Sequence, residues 1–440
     1  MRHSRQSPSQ FVERTNKKSA PRHKTDSGST QACRYNGEFA LSLEIMKKIL
    51  VLLLLVTPLI AFAAKPPAKA DAKPAAEAPI QPTAPVAFGA LNVAAKSFVL
   101  RDFQSGQILV SQNPDLKVEP ASLTKLMTAY LAFKNLKEKR LSENQTLPVS
   151  EKAWKAIGSR MFIDLKVPVT VNELLRGMII QSGNDASIAL AEAIGGSEET
   201  FAELMNKEAA RLGMKNSHFL NATGLPDPQH YSTAEDLSLL ASAIIRDFPE
   251  FYTIYSTREY KYNNITQPNR NRLLWLDPTV DGMKTGHTDS AGWCLVSSAK
   301  RNDRRLISVV LGTASDTVRT VESQKLLNYG FQFYDTRRMY KQGEVVANLD
   351  VFKGQDKTLK VGFDKDLFLT MPRSDFEKLQ PTLTTTQPLI APLNKGQVVG
   401  TMKLATGDKT IAEYPVLALD AMPVAGFFRR TWDSLRLMLK

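Results

Sequence analysis

The sequence predicts an α+β catalytic region, a small all-β domain and a terminal amphipathic helix, in that order along its 440 residues. Three observations lead there. Strand patterns bracket a long helical stretch between about residues 89 and 335, short strands and turns fill 336–422, and residues 423–440 change to an amphipathic helical pattern. If the early and late strands of the first region share one antiparallel sheet, that region is a sheet with a helical lobe.

The N-terminal part precedes these elements. Met46-Lys47-Lys48 opens an apolar run from Ile49 to Phe62 that ends in Ala61-Phe62-Ala63-Ala64. A charged start, an apolar middle and small residues at the end mark residues 46–63 as a signal peptide, cut after Ala63 or one residue later. The run falls short of the ~20 apolar residues that span a bilayer. Residues 1–45 are polar, basic and rich in Ser, and they stand ahead of a complete signal peptide. They are expected to be a non-native upstream extension, with translation starting at Met46. Residues 64–88 are dominated by Ala, Pro and Lys, which cannot bury enough apolar surface to fold, so they read as a disordered tether.

In the first folded region (89–335), Ser97–Asp102 and Gly106–Val110 read as a hairpin around a Gly-containing turn. Helical patterns follow at 122–136, 171–181, 185–194, 199–212 and 233–246. Strands return at 291–299 and 304–312, joined by a basic turn, and another helix fits 315–333. In the second region, strands are expected at 359–362, 367–371, 382–387, 397–404 and 410–419. On a helical wheel of the last segment, Val424, Phe427, Phe428, Trp432, Leu435, Met438 and Leu439 share one arc. Arg429, Arg430, Asp433, Arg436 and Lys440 lie opposite, and Leu437 falls off the apolar arc. Such a helix suits a membrane interface; packing on the β-domain is the alternative.

Charge and cysteine content exclude several classes. The net charge is +13, but ten Lys/Arg and four Asp/Glu fall within residues 1–63, leaving +7 for the rest without a long basic run. A nucleic-acid surface needs a concentrated patch, so none is expected. Of the two cysteines only Cys294 lies beyond the leader, in an apolar stretch, and it reads as a small core residue. The five histidines show no pair at metal-ligand spacing, and no Gly-rich phosphate loop is present, so neither metal nor cofactor is expected.

Three short motifs carry chemistry. Ser122 and Lys125, in Pro120-Ala121-Ser122-Leu123-Thr124-Lys125, sit three apart at a helix start and so project from one face. A serine hydroxyl needs an adjacent base, and a lysine can serve only where burial or a second cation destabilises its ammonium. Ser182-Gly183-Asn184 lies in a loop between two helical runs, where a hydroxyl and an amide two residues apart can reach one cleft. Lys284-Thr285-Gly286, followed by His287, occurs once, ahead of the strand expected at 291–299, and offers a cation and a hydroxyl to a carboxylate, with a glycine for close backbone approach. Each motif is weak alone: Ser297-Ser298-Ala299-Lys300 repeats the first, and Ser111-Gln112-Asn113 and Ser142-Glu143-Asn144 repeat the second. Their shared order and contexts are informative.

Together with Asn269-Arg270-Asn271, Asp281–Thr288, and Leu311-Gly312 with Arg319 beyond, these motifs give a chain that resembles the low-molecular-mass penicillin-binding proteins, the D-alanyl-D-alanine carboxypeptidase family, over about residues 90–440. Ser-Gly-Asn, where class A β-lactamases typically have Ser-Asp-Asn, suits the carboxypeptidase branch. The resemblance implies a serine β-lactamase/penicillin-binding-protein-like catalytic domain. It implies that Ser122 attacks a terminal D-Ala–D-Ala amide, that Lys125 takes its proton while kept neutral partly by Lys284, and that Ser182 relays a proton to the leaving amine. Asn184 would orient the substrate amide and Lys125. The backbone N–H groups of Ser122 and His287 would bind the oxyanion, and Lys284, Thr285 and Arg319, helped by Arg270, the carboxylate. The implied partners are peptidoglycan stem peptides, β-lactams as covalent inhibitors, and a membrane surface bound by residues 423–440. The implied location is the periplasmic face of the cytoplasmic membrane. A D,D-endopeptidase, a β-lactamase and a penicillin-binding sensor without turnover are the alternatives. No counterpart of the deacylating glutamate of class A β-lactamases is evident; Asp227 and His230 lie in a Pro-rich loop whose plainer reading is a turn.

Overall fold

The computed structural model of the chain describes residues 91–438. The upstream extension, signal peptide and Ala/Pro tether expected from the sequence lie outside the described residues. Strands β1 (Ser97–Asp102) and β2 (Ile108–Gln112) form the expected hairpin. With β3 (Val280–Thr288), β4 (Gly292–Arg301) and β5 (Arg304–Thr313) they make one antiparallel sheet in the order β2-β1-β5-β4-β3. The first and last strands of the region therefore meet, because β1 pairs with β5 from Ser97–Leu311 to Asp102–Leu306.

Period-two alternation sends side chains of these strands into two cores. Val99, Val296, Ile307 and Val309 face the helical lobe, whereas Phe98, Leu100, Leu295, Leu306 and Val310 pack against Leu326, Leu327 and Phe331. The lobe comprises α1 (Lys125–Lys137), α2 (Val171–Ile180), α3 (Asn184–Gly195), α4 (Glu198–Leu212) and α5 (Ala234–Asp247); α6 (Asp316–Phe333) covers the opposite face. Their limits follow from capping. Thr170 and Glu173 form a reciprocal capping box on α2, and Ser197, Thr233 and Ser315 cap α4, α5 and α6. Gly196 and Gly213 end α3 and α4 in the left-handed conformation.

One placement extends the sequence reading. Lys284-Thr285-Gly286 precedes the strand expected at 291–299, here β4, and itself lies within β3, the sheet edge, in register with Val296, Leu295 and Cys294. Gly282, Gly286 and the polar residues between them dilute the apolar alternation that marks a strand, and pairing with β4 supplies what local propensity lacks. Cys294 is fully buried in the core, and burial pushes its thiol up to about 11.

Beyond α6, Tyr334–Tyr340 pairs with Leu367–Pro372, and six further strands form a second sheet around Leu359, Val361, Leu404 and Val416. Strands Tyr334–Tyr340 and Val345–Phe352 have no counterpart in the sequence reading. Thr370 ties this domain to the first hairpin, its hydroxyl 2.6 Å from Ser105 Oγ and its N–H donating to Gln107 Oε1. Asp102, fully buried, accepts from Thr336 Oγ1 at 2.6 Å and pairs with Arg304.

The last helix, α7 (Phe427–Met438), turns its polar side toward the β-domain. Asp433 is buried and accepts the Lys353 N–H at 2.7 Å; Arg429 donates to the Gln355 carbonyl, and Arg436 lies over Phe352. Phe427, Phe428, Trp432, Leu435 and Met438 are exposed, Phe428 at 88%. Leu437, off the apolar arc, is half-buried.

Candidate active site

A single 3-10 turn, Ala121–Thr124, leads into α1 and carries Ser122. Ser122 is half-buried, Lys125 fully buried, and the Lys125 Nζ donates to Ser122 Oγ at 3.0 Å. The spacing of three thus brings hydroxyl and amine into contact. Lys125 also donates to the Thr223 carbonyl at 2.6 Å. Burial lowers its pKa to about 7, helped by the Arg270 charge, while Asp185 and Glu198 pull the other way. The resemblance gives Lys284 part of the neutralising role; burial is the larger cause here, Arg270 adds its charge, and the neighbouring Lys125 and Lys284 charges disfavour each other.

A second serine–lysine pair stands beside the first. Ser182 links α2 and α3, is buried, and accepts from Lys284 Nζ at 3.0 Å across more than a hundred residues of chain. Lys284 also donates to the Thr285 carbonyl at 3.0 Å. Burial holds its pKa well below that of an ordinary lysine, reinforced by Lys125, Arg270 and Arg319. Two hydroxyls, each against an amine whose charge is disfavoured, are equipped to accept and deliver protons during acyl transfer.

The remaining residues fall around these pairs. Thr285 is buried beside Lys284, and His287 is exposed at the end of β3, its ring 3.9 Å from that of Trp293. Gly286 leaves room for the nucleophile turn: a Cβ there would stand 2.9 Å from the Pro120 carbonyl oxygen. The close approach expected of this glycine is therefore made by the protein's own backbone. Arg270 is exposed and donates to the Gln181 carbonyl at 3.2 Å.

Asn184 and Arg319 are placed differently from expectation. Asn184 does not hold Lys125; its Nδ2 donates to the Ile157 carbonyl at 2.6 Å and its Oδ1 is buried without a partner. Arg319 is buried, donates to the Gly286 carbonyl at 3.0 Å, pairs with Asp316 and lies over the Trp293 ring. Its grip is on β3 itself, so any effect on a carboxylate acts at least partly through that strand.

Some of the supporting residues were not legible. The Thr223 carbonyl is a backbone group, which no residue type announces. Asp185 accepts N–H groups from Met161 and Phe162 at 2.9 and 2.8 Å and so fixes the loop over α2; an acid directly after Ser-Gly-Asn was the available signal. Asp227 is the turn residue its setting suggested, its carboxylate accepting the Gln229 N–H.

Known proteins resemble this chain over most of its length. Residues 81–315 match the D-alanyl-D-alanine carboxypeptidase family, and 334–424 match the C-terminal domain of penicillin-binding protein 5. The chain is 42% identical to D-alanyl-D-alanine carboxypeptidase DacC of Escherichia coli over 80% of its length and 91% of that protein. It superimposes on penicillin-binding protein 5 of Haemophilus influenzae with a TM-score of 0.75 and 40% identity, over 77% of this chain and all of that one. Penicillin-binding protein D2 of Listeria monocytogenes, solved with ampicillin bound, matches at 31% identity and a TM-score of 0.52, over 56% of this chain and all of that one. The chain therefore belongs to the D-alanyl-D-alanine carboxypeptidase family of serine hydrolases.

Proposed function

We propose that this enzyme removes the terminal D-alanine from peptidoglycan pentapeptide stems through an acyl-enzyme on Ser122, and that β-lactams acylate the same hydroxyl. The observation that carries the reading is the 3.0 Å contact between Ser122 Oγ and an amine that titrates near pH 7. As neutral Lys125 takes the Ser122 proton, Oγ adds to the carbonyl of the terminal peptide bond. The N–H groups of Ser122 and His287 receive the developing oxyanion, a contribution of about 3 kcal/mol per donor. Ser182, next to Lys284, passes a proton to the departing D-alanine amine, and the C–N bond breaks. Lys284 and Thr285 hold the terminal carboxylate, and Asn184 Oδ1 accepts a substrate amide N–H. Arg319 supports β3 from behind, and Arg270 keeps both lysines short of full protonation. Water then cleaves the ester and restores Ser122.

The same proposal extends to the termini. Residues 46–63 direct export, and the folded parts divide at 335–336 and 422–423. The enzyme sits on the periplasmic face of the cytoplasmic membrane, held by the exposed apolar arc of α7. Among the described residues no helix is long and apolar enough to cross a membrane.

Intact-mass analysis after incubation with penicillin, followed by peptide mapping, tests the nucleophile. The expected adduct is on Ser122, and Ser122→Ala should lose both the adduct and D-alanine release from a pentapeptide. Labelling that survives this substitution refutes the assignment.

A further inference from the structure

The turn that presents Ser122 is strained. Ala121 has φ of +47°, a left-handed conformation that residues with a Cβ rarely adopt. Such backbone persists only where its surroundings hold it. Gly286 packs against one side of the turn. On the other side, a Cβ on Gly224 would stand 1.8 Å from the Ala121 carbonyl oxygen, so that glycine lies directly against the turn.

A third contact comes from the far end of the Gly224 loop. His230 is 1% exposed and packs edge-on against Phe219. Its Nδ1 accepts the Leu220 N–H at 3.2 Å, so in the neutral ring the proton must reside on Nε2. Nε2 lies 2.8 Å from Thr124 Oγ1 and therefore donates to it. Thr124 closes the strained turn and directly precedes Lys125. The same loop receives Lys125 at the Thr223 carbonyl and Thr128 at the Ala222 carbonyl. His230 is thus the one side chain among these loop contacts; the others are carbonyls and a glycine.

We propose that His230 is a positioning residue for acylation, holding Thr124 so that the strained turn keeps Ser122 Oγ within reach of Lys125. This rests on the assignment of Ser122 and Lys125 made above. Burial, more than the charged groups around His230, keeps the ring in the required neutral form. Burial lowers its pKa to about 4, His218 and Lys125 push in the same direction, and Asp227 opposes them. The ring is neutral where Lys125 can act as a base, and His230, already donating through Nε2, is not itself the water-activating group.

The test is the second-order rate of acylation by a fluorescent penicillin, with kcat and KM for D-alanine release, in full-length wild type, His230→Ala, His230→Gln, Thr124→Val and the double variant His230→Ala/Thr124→Val. Misplacing a reacting group by an ångström costs up to about 100-fold, so His230→Ala and Thr124→Val should each slow acylation and kcat by roughly 10- to 100-fold with KM little changed. The double variant should be no slower than the single ones. His230→Gln can accept from Leu220 and donate to Thr124, and should recover most of the rate. If His230→Ala does not fold, Thr124→Val and His230→Gln carry the test. Acylation of Ser122 at the wild-type rate in His230→Ala or Thr124→Val, or losses that multiply in the double variant, would overturn the positioning role and leave the nucleophile standing. A wild-type adduct on a different serine would instead overturn the underlying assignment.

Discussion

Acylation by a neutral lysine has a pH signature. With Lys125 near 7, the amine is the minor form below that pH and the major form above it. The rate of penicillin acylation should therefore rise with pH along an acid limb centred near 7, falling about tenfold per unit below it. Because Lys125 also bears on Lys284, the limb belongs to the coupled pair. Arg270→Ala removes a charge that lowers both lysines, so the limb should move to higher pH; a stationary or downward-shifted limb contradicts the assigned electrostatics. His230 supplies a separate stability signature. Its ring protonates near 4 when folded against an ordinary 6.5 when unfolded. Only the unfolded chain takes up the proton between these values, so stability is full above 6.5 and lost as pH falls toward 4. The whole loss is roughly 3 kcal/mol. Urea unfolding at several pH values should show it, and His230→Gln should flatten the curve over that window.

At the scale of elements, the site depends on the edge strand β3, the 3-10 turn before α1, and the loop around Gly224. Glycine at 224 is required twice, by φ of +83° and by contact with the Ala121 carbonyl. Gly343 has a similar φ of +72° but open space where a Cβ would be. Gly224→Ala should cost about 3 kcal/mol or more and abolish penicillin labelling, whereas Gly343→Ala should cost about 1 kcal/mol and leave labelling intact. Denaturant unfolding and labelling of the two variants separate contact from conformational strain. Equal losses would mean that packing against the nucleophile turn is unimportant. The long helices were legible because their apolar period and caps agree. The strand β3 was not, since its residues are selected for chemistry and for close approach to Pro120 rather than for alternation.

Across the whole molecule, α7 has its polar side engaged by the β-domain and its apolar side exposed. Asp433, inward and buried, decides that orientation. On the proposed anchoring by α7, Phe428→Glu with Trp432→Glu should reduce binding to phosphatidylglycerol-containing vesicles at least tenfold, because two amphipathic-face aromatics would no longer enter the interface. D-alanine release from a soluble pentapeptide should be unchanged. Vesicle binding that survives both substitutions places the membrane contact elsewhere. The helical wheel showed an apolar arc, but it could not tell which arc met the domain; only the Lys353 and Gln355 backbone contacts distinguish the two.

By itself the sequence determined the order of the domains, the long helices, and the three motifs whose joint order marked Ser122, Lys125, Ser182 and Lys284. These depend on local periodicity and on residue chemistry, which a chain carries in one dimension. The tertiary structure decided how the motifs combine. It paired Ser182 with Lys284 across two elements, made burial and Arg270 the chief causes of the lowered Lys125 pKa, and set Arg319 behind β3. It also brought His230 to Thr124. Dehydration, charge proximity and backbone strain exist only once distant segments share a site, so no spacing of residues could have declared them.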